Sequence, residues 1–251
     1  MYHSISFSNS LGARNTFDDW GLIPSSRPLF VPPKKKTNYV DIPGANGALD
    51  LSEALTGFPV FNDREGSIEF YVDNPTGQVT PGLWAQRYSD ISSWLNGKKM
   101  TAVLEDDPNW YYQGQFNVDS WKSDKDRSKI VISYRVDPYK YEVNTEECTV
   151  VANGTLHIIS GENFLEGSMP VIPKIVVTGA SGAGYNLRFQ NLELGIDRTH
   201  AFSNGTYTPN ALSWMIFTNL MGYEGEGAPP TVELSATGSG TGVFTWRNGR
   251  L

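Results

Sequence analysis

Along Lys129–Val136 the residues Ile130, Ile132, Tyr134 and Val136 alternate with Val131, Ser133 and Arg135. A period of two puts the first set on one face of an extended chain, so the stretch predicts a strand with one strongly buried face. A second pattern has another period. Trp84, Tyr88, Ile91 and Leu95 recur every three or four residues, which is one face of a helix. Thr80 fits an N-cap and Pro81 the first helical position. Asn96-Gly97 fits the end, with Gly97 left-handed and Lys98 and Lys99 beside the negative pole. The spacing predicts one helix over about 81–96, lying with its aromatic face on a sheet.

Shorter apolar runs predict strands at Ile5–Phe7, Thr37–Ile42, Ile68–Val72, Thr101–Leu104 and Trp110–Val118. The last makes a hairpin with Lys129–Val136 across a polar loop at Asp119–Ser128. Asp106–Asn109 reads as a turn, and Asn15–Leu22 as a polar loop with aromatic anchors. Pro24, Pro28, Pro32 and Pro33 hold the chain extended, because proline fixes φ and disfavours helix before it. Lys34-Lys35-Lys36 reads as a solvated turn or strand edge in preference to an anion contact.

After Asp137-Pro138 lysines become rare and glycine-rich turns frequent, which predicts a boundary and two domains, 1–137 and 138–251. In the second, strands are expected near Thr155–Ile159, Ile172–Thr178, Tyr185–Phe189, Leu192–Ile196, Leu212–Phe217, Thr231–Ser235 and Val243–Arg247. Their spacing is that of an all-β sandwich. Asn153-Gly154, Asn204-Gly205 and Asn248-Gly249 are turn dipeptides, and Gly179–Gly184 and Gly238–Gly242 read as loops.

Between the prolines and the helix lies Asp41–Val72, which begins with the turn cluster Pro43-Gly44-Ala45-Asn46-Gly47. A short alternation follows at Leu49 and Leu51, then Ser52–Gly57 with Leu55. The segment over about 37–57 reads as an arm that leaves one sheet, turns and returns, with Leu49, Leu51 and Leu55 as its apolar anchors.

Composition supports this picture. Aromatics are abundant at 12%, and 25 Gly and 15 Pro suit many short strands joined by turns. Charge narrows the function. The stretch through Asp137 carries 14 basic and 17 acidic residues and the remainder 6 and 10, so both halves are mildly acidic. Neither has the basic footprint of a duplex-binding protein, and an acidic surface lets a polyanion pass without adsorbing. The start, MYHSISFSNS, has no basic n-region and no apolar h-region and is not expected to be a signal peptide. No run approaches a membrane span. Cys148 is alone, which excludes an intrachain disulfide, and reads as a small half-buried residue.

Candidate chemistry is sparse. His3, His157 and His200 stand outside any metal-ligand spacing. Gly179-Ala180-Ser181-Gly182 is not a nucleophile elbow, and Gly238–Gly242 lacks the lysine and helix of a phosphate loop. Asp18-Asp19, Asp106-Asp107 and Glu146-Glu147 are sequence neighbours that point apart on extended chain, unlike a glycosidase pair. Asp124-Lys125-Asp126 lacks the continuation of a calcium loop. Trp110, Tyr111 and Tyr112 read as core plus a subunit contact. No catalytic residue, cofactor site or metal site is expected.

The ordered set of motifs carries a family resemblance. Asp41–Gly57, DIPGANGALDLSEALTG, resembles the signature of the distal tail protein (Dit) family of long, non-contractile-tailed phages. Ile91–Lys98, Asp137–Tyr141, Asn153–Thr155, Gly195–Asp197 and Trp246-Arg247 follow the order of that family across nearly the whole chain. The resemblance implies a mainly β protein of two domains: a tail-tube-like N-terminal β-sandwich with one helix and an extended arm, and a C-terminal galectin-like β-sandwich. It implies a virion component made in the bacterial host cytoplasm. Such proteins form a homo-hexameric ring at the tail tip. The ring joins the tail tube protein to the tail-associated lysin or tail fibre and docks receptor-binding proteins in some phages. DNA passes through its channel without specific binding. Leu49, Leu51 and Leu55 would then face a neighbouring subunit. The alternative is a carbohydrate-binding module contacting cell-wall glycans, with Tyr185, Tyr207 and Trp214 as stacking aromatics.

Overall fold

The computed structural model describes residues 3–72, 82–123, 128–159, 169–218 and 232–251. The chain divides into two units, Met1–Lys140 and Tyr141–Leu251, each with its own apolar core.

The first unit contains β1 (Ile5–Asn9), β2 (Gly12–Asn15), β3 (Leu22–Pro24), β4 (Tyr39–Asp41), β5 (Ala48–Asp50), β6 (Arg64–Val72), α1 (Leu83–Leu95), β7 (Lys99–Leu104), β8 (Asp107–Ser123) and β9 (Ser128–Val136). Seven strands lie antiparallel in the order β2-β1-β7-β8-β9-β6-β3. The alternation in β9 works as its period requires: Ile130, Ile132, Tyr134 and Val136 are buried, and Phe70, Phe116, Phe7 and Leu22 join them in one core.

The expected helix is α1, and its predicted face is the packed one. Ile91 and Leu95 are fully buried, while Trp84 and Tyr88 meet the Trp121 ring at 5.5 and 5.0 Å. Gly97, at φ 74°, turns the chain out of the helix, and Lys98 Nζ donates to the Ser93 carbonyl at 2.7 Å. Lys99 opens β7 instead of staying at the helix end. Thr80 and Pro81 lie outside the described residues.

Two expectations here need correction. Asp107 and Pro108 belong to β8, so the turn is confined to Glu105-Asp106. The polar stretch Asp119–Ser123 continues β8 instead of forming a loop. A register shift between Val118 and Ser120 changes which side chains face the core, so alternation read from either side breaks there. Strands β2 and β3 were not anticipated, because their short exposed or proline-ended sequences carry no alternation.

The second unit comprises β11 (Glu146–Val151), β12 (Leu156–Ile159), β13 (Lys174–Thr178), β14 (Tyr185–Asn191), β15 (Ile196–Phe202), β16 (Gly205–Tyr207), β17 (Val232–Gly238), β18 (Thr241–Trp246) and β19 (Gly249–Arg250); β10 (Lys140–Glu142) spans the division. Two four-stranded antiparallel sheets, β11-β18-β13-β16 and β12-β17-β14-β15, supply one core. Val150, Ile175, Val177 and Phe244 come from the first, and Tyr185, Leu187, Phe189, Val232 and Leu234 from the second. This is two-layer β packing.

Leu192–Ile196 is a turn closed by left-handed Gly195, with the strand β15 following it instead. Leu212–Phe217 is not a strand. Its apolar residues Leu212, Met215 and Phe217 are buried on irregular chain that follows a 3-10 turn, with a single bridge from Phe217 to Val171. A short apolar run reports burial, not conformation. The loops Gly179–Gly184 and Gly238–Gly242 meet: Ser181 N–H donates to Ser239 Oγ at 2.8 Å, and Ser239 Oγ donates back to the Ser181 carbonyl at 2.7 Å.

Candidate assembly surface

Strands β4 and β5 pair only with each other, with Tyr39 opposite Asp50, Val40 opposite Leu49 and Asp41 opposite Ala48. The turn between them holds Gly44 and Gly47 at φ 85° and 76°, a region that disfavours other residues. The ribbon is tied at its base. Lys36 N–H donates to the Val60 carbonyl at 2.7 Å and Asn62 N–H to the Lys34 carbonyl at 2.8 Å.

The register sorts the ribbon into two faces. Val40 and Leu49 share one face, and alternation adds Ile42 and Leu51 to it. Tyr39, Asp41, Ala48 and Asp50 share the other. All eight residues are exposed. The large apolar ones range from Leu51 at 36% to Tyr39 at 62%, and Leu55, in the turns that follow, is fully exposed at 100%. A cluster of this kind on a soluble surface marks a contact site.

Leu49, Leu51 and Leu55, expected as anchors, are therefore placed on the arm and in solvent. The sequence reading missed Tyr39, Val40 and Ile42. The signal was available, since Val40 and Ile42 mirror the spacing of Leu49 and Leu51 across a glycine turn.

Local polar bonds shape the arm beyond β5. Asp50 accepts from the Ser52 hydroxyl and from its N–H, and these bonds hold its carboxyl below the usual range. Lys35 reaches Glu53 at 2.5 Å, and that bond raises its pKa. Lys35 thus serves as a local tie, and no anion site is needed to explain it. Exposed pairs of this type add little stability.

The residues weighed for chemistry do not converge. Asp19 pairs with Arg14, Asp106 with Arg27 and Asp107 with Lys140. Among the described residues no three His, Cys, Asp or Glu side chains gather as a metal site, and no helix is long and apolar enough to cross a membrane. Asp124-Lys125-Asp126 lies outside the described residues. The His200 ring packs on Phe202 and Trp214 at 4.6 and 5.9 Å. Burial raises the pKa of the Cys148 thiol. The aromatics named for sugar stacking are engaged elsewhere: Tyr185 is fully buried, Trp214 packs on Phe189, and Tyr207 Oη bonds both the N–H and the carbonyl of Ser203.

The class defined by these features is a mainly β protein of two β-rich units, with one helix and a projecting arm. No protein family defined by sequence matches the chain, and no curated protein matches it. Among solved structures it is similar to the crystal structure of SPP1 Dit (gp 19.1), described as "a Paradigm of Hub Adsorption Apparatus in Gram-positive Infecting Phages". The TM-score is 0.64 at 15% identity, over 97% of this chain and 98% of that one. The chain has a Dit-like fold.

Proposed function

We propose that the protein is a structural component of a phage tail tip, a Dit-like hub that assembles as a homo-hexameric ring. The observation that carries this reading is the likeness to a phage hub protein along the full length of both chains. The exposed amphipathic arm supports it, because an apolar ribbon face in water calls for a neighbour. A closed ring covers such arms and edges on every subunit. In this role Met1–Lys140 forms the ring and the following unit is a galectin-like sandwich. The hub links the tail tube protein to a tail-associated lysin or tail fibre and offers a mount for receptor-binding proteins. Its acidic balance of −7 suits a channel that passes DNA without holding it. The work is mechanical joining, with no reaction assigned to the chain.

Negative-stain microscopy of the full chain, alone and with the tail tube protein, tests the reading. Six-fold rings are expected. A chain that stays monomeric and forms no ring with tube protein overturns it.

A further inference from the structure

The ribbon has two faces that its own unit leaves open, and its chemistry defines the seat it needs. Thr37–Gly57 contains Asp41, Asp50 and Glu53 and no lysine or arginine. Its seat should therefore combine apolar floor with cationic rim.

One groove of the first unit has that composition. It lies between α1 and the β1–β2 hairpin and encloses about 760 Å³. Trp20 and Trp94, in edge contact at 5.6 Å, provide apolar surface, and Leu11 stands at one side, 71% exposed. Arg14, Arg87 and Lys98 line it against Asp19 and Asp90. Asp19 is already engaged, accepting from Arg14 at 3.1 Å and from the Asn15 N–H at 2.7 Å. The groove is thus net cationic.

We infer that this groove receives the β4–β5 ribbon of a second copy of the chain. Val40 and Leu49 settle against Trp94 and Leu11, and Asp41 and Asp50 face Arg87 and Lys98. Charge complementarity selects the occupant: a net-cationic groove with tryptophan surface matches a ribbon that is apolar on one face and acidic on the other. The inference rests on the proposed ring, to which it adds the receiving surface.

The test uses the full chain, with assembly followed by light scattering and microscopy. Arg87→Glu with Lys98→Glu reverses the groove; Asp41→Lys with Asp50→Lys reverses the ribbon. Each pair is expected to raise the concentration needed for assembly by about tenfold or more, and the four changes together to restore most of it. Thermal unfolding of each monomer separates assembly from folding. A second variant, Val40→Cys with Ser93→Cys, is expected to give disulfide-linked dimers and higher ladders under oxidation. Groove reversal that leaves assembly unchanged, or a four-fold variant no better than either pair, overturns the groove. If rings still form in those samples, the ring reading survives that failure. A chain that gives neither cross-link nor rings, with or without tube protein, overturns both.

Discussion

The Tyr185 hydroxyl occupies the place where a side chain on Gly242 would begin. A Cβ added to Gly242 would lie 2.6 Å from Tyr185 Oη and 2.8 Å from Cζ. Gly242 sits on β18, in one sheet, and Tyr185 on β14, in the other. The hydroxyl crosses the core to donate to the Val150 carbonyl at 3.0 Å. The missing side chain on one layer is what admits the polar tip from the other. Gly66 and Tyr134 repeat the device in the first unit, where the Tyr134 hydroxyl accepts from the Val31 N–H at 3.0 Å.

Gly242→Ala should therefore destabilise the second unit by about 2–4 kcal/mol, through a displaced ring and a broken buried bond. Tyr185→Phe should cost about 1–2 kcal/mol. The double variant should recover little, because the ring carbon at 2.8 Å still collides. Denaturant unfolding of the four proteins measures this; near-complete rescue would mean that the hydroxyl alone sets the conflict.

The same tyrosine makes stability depend on alkaline pH. Burial holds its hydroxyl neutral well above the ordinary value of 10.0. The folded pKa is raised, so the folded state keeps a proton that the unfolded state has lost. This contribution is complete below about pH 10 and falls as pH rises above it, at up to about 1.4 kcal/mol per pH unit. Tyr185→Phe should have a shallower alkaline slope than the parent, by close to one proton, in urea midpoints taken between about pH 9 and 11.5. Equal slopes would remove Tyr185 from the titration.

The arm offers a cleaner separation between folding and assembly. Leu49, Leu51 and Leu55 contribute nothing to the core, so changing all three to serine should leave the monomer's unfolding free energy within about 0.5 kcal/mol. Ring formation should fall sharply in the same protein. A matched loss of thermal stability would make them ordinary packing residues.

Arg64 calls for the opposite experiment. It is 5% exposed, donates from Nε to the Pro138 carbonyl at 2.8 Å and from Nη1 to the Val31 carbonyl at 3.1 Å, and lies 5.4 Å from the Tyr112 ring centroid. Burial lowers its pKa. Arg64→Met should cost about 2–4 kcal/mol, since two carbonyls lose their donor even though a buried cation is removed. Faster proteolysis near Pro138 should accompany it. A neutral result in both assays would show that the aliphatic stem carries the packing.

What could be read from the sequence followed from periodicity. The α1 face and the β9 alternation were visible because one side of each element is buried and the other is wet. The strand β15, IDRTHAF, was shifted in the reading because five of its residues are exposed and polar. Leu212–Phe217 misled in the other direction, since its burial comes from tertiary packing of irregular chain. The same limit applies to the arm. Leu49 and Leu51 stood out as an alternation, but no pattern within one chain reveals that both faces of a ribbon lack a partner. The groove was hidden for another reason: Arg14, Trp94 and Lys98 are scattered in sequence and meet only after α1 crosses the sheet.

The paired ribbon of β4 and β5 also bears on how the chain survives before it meets its neighbours. Each of its strands has a free backbone edge, beside a row of four aliphatic side chains, which is a template for unwanted strand addition. Asp41 and Asp50 on the opposite face repel another ribbon arriving in the same register. The acidic face is thus a gatekeeper, holding newly made chains apart in solution until a cationic seat is within reach.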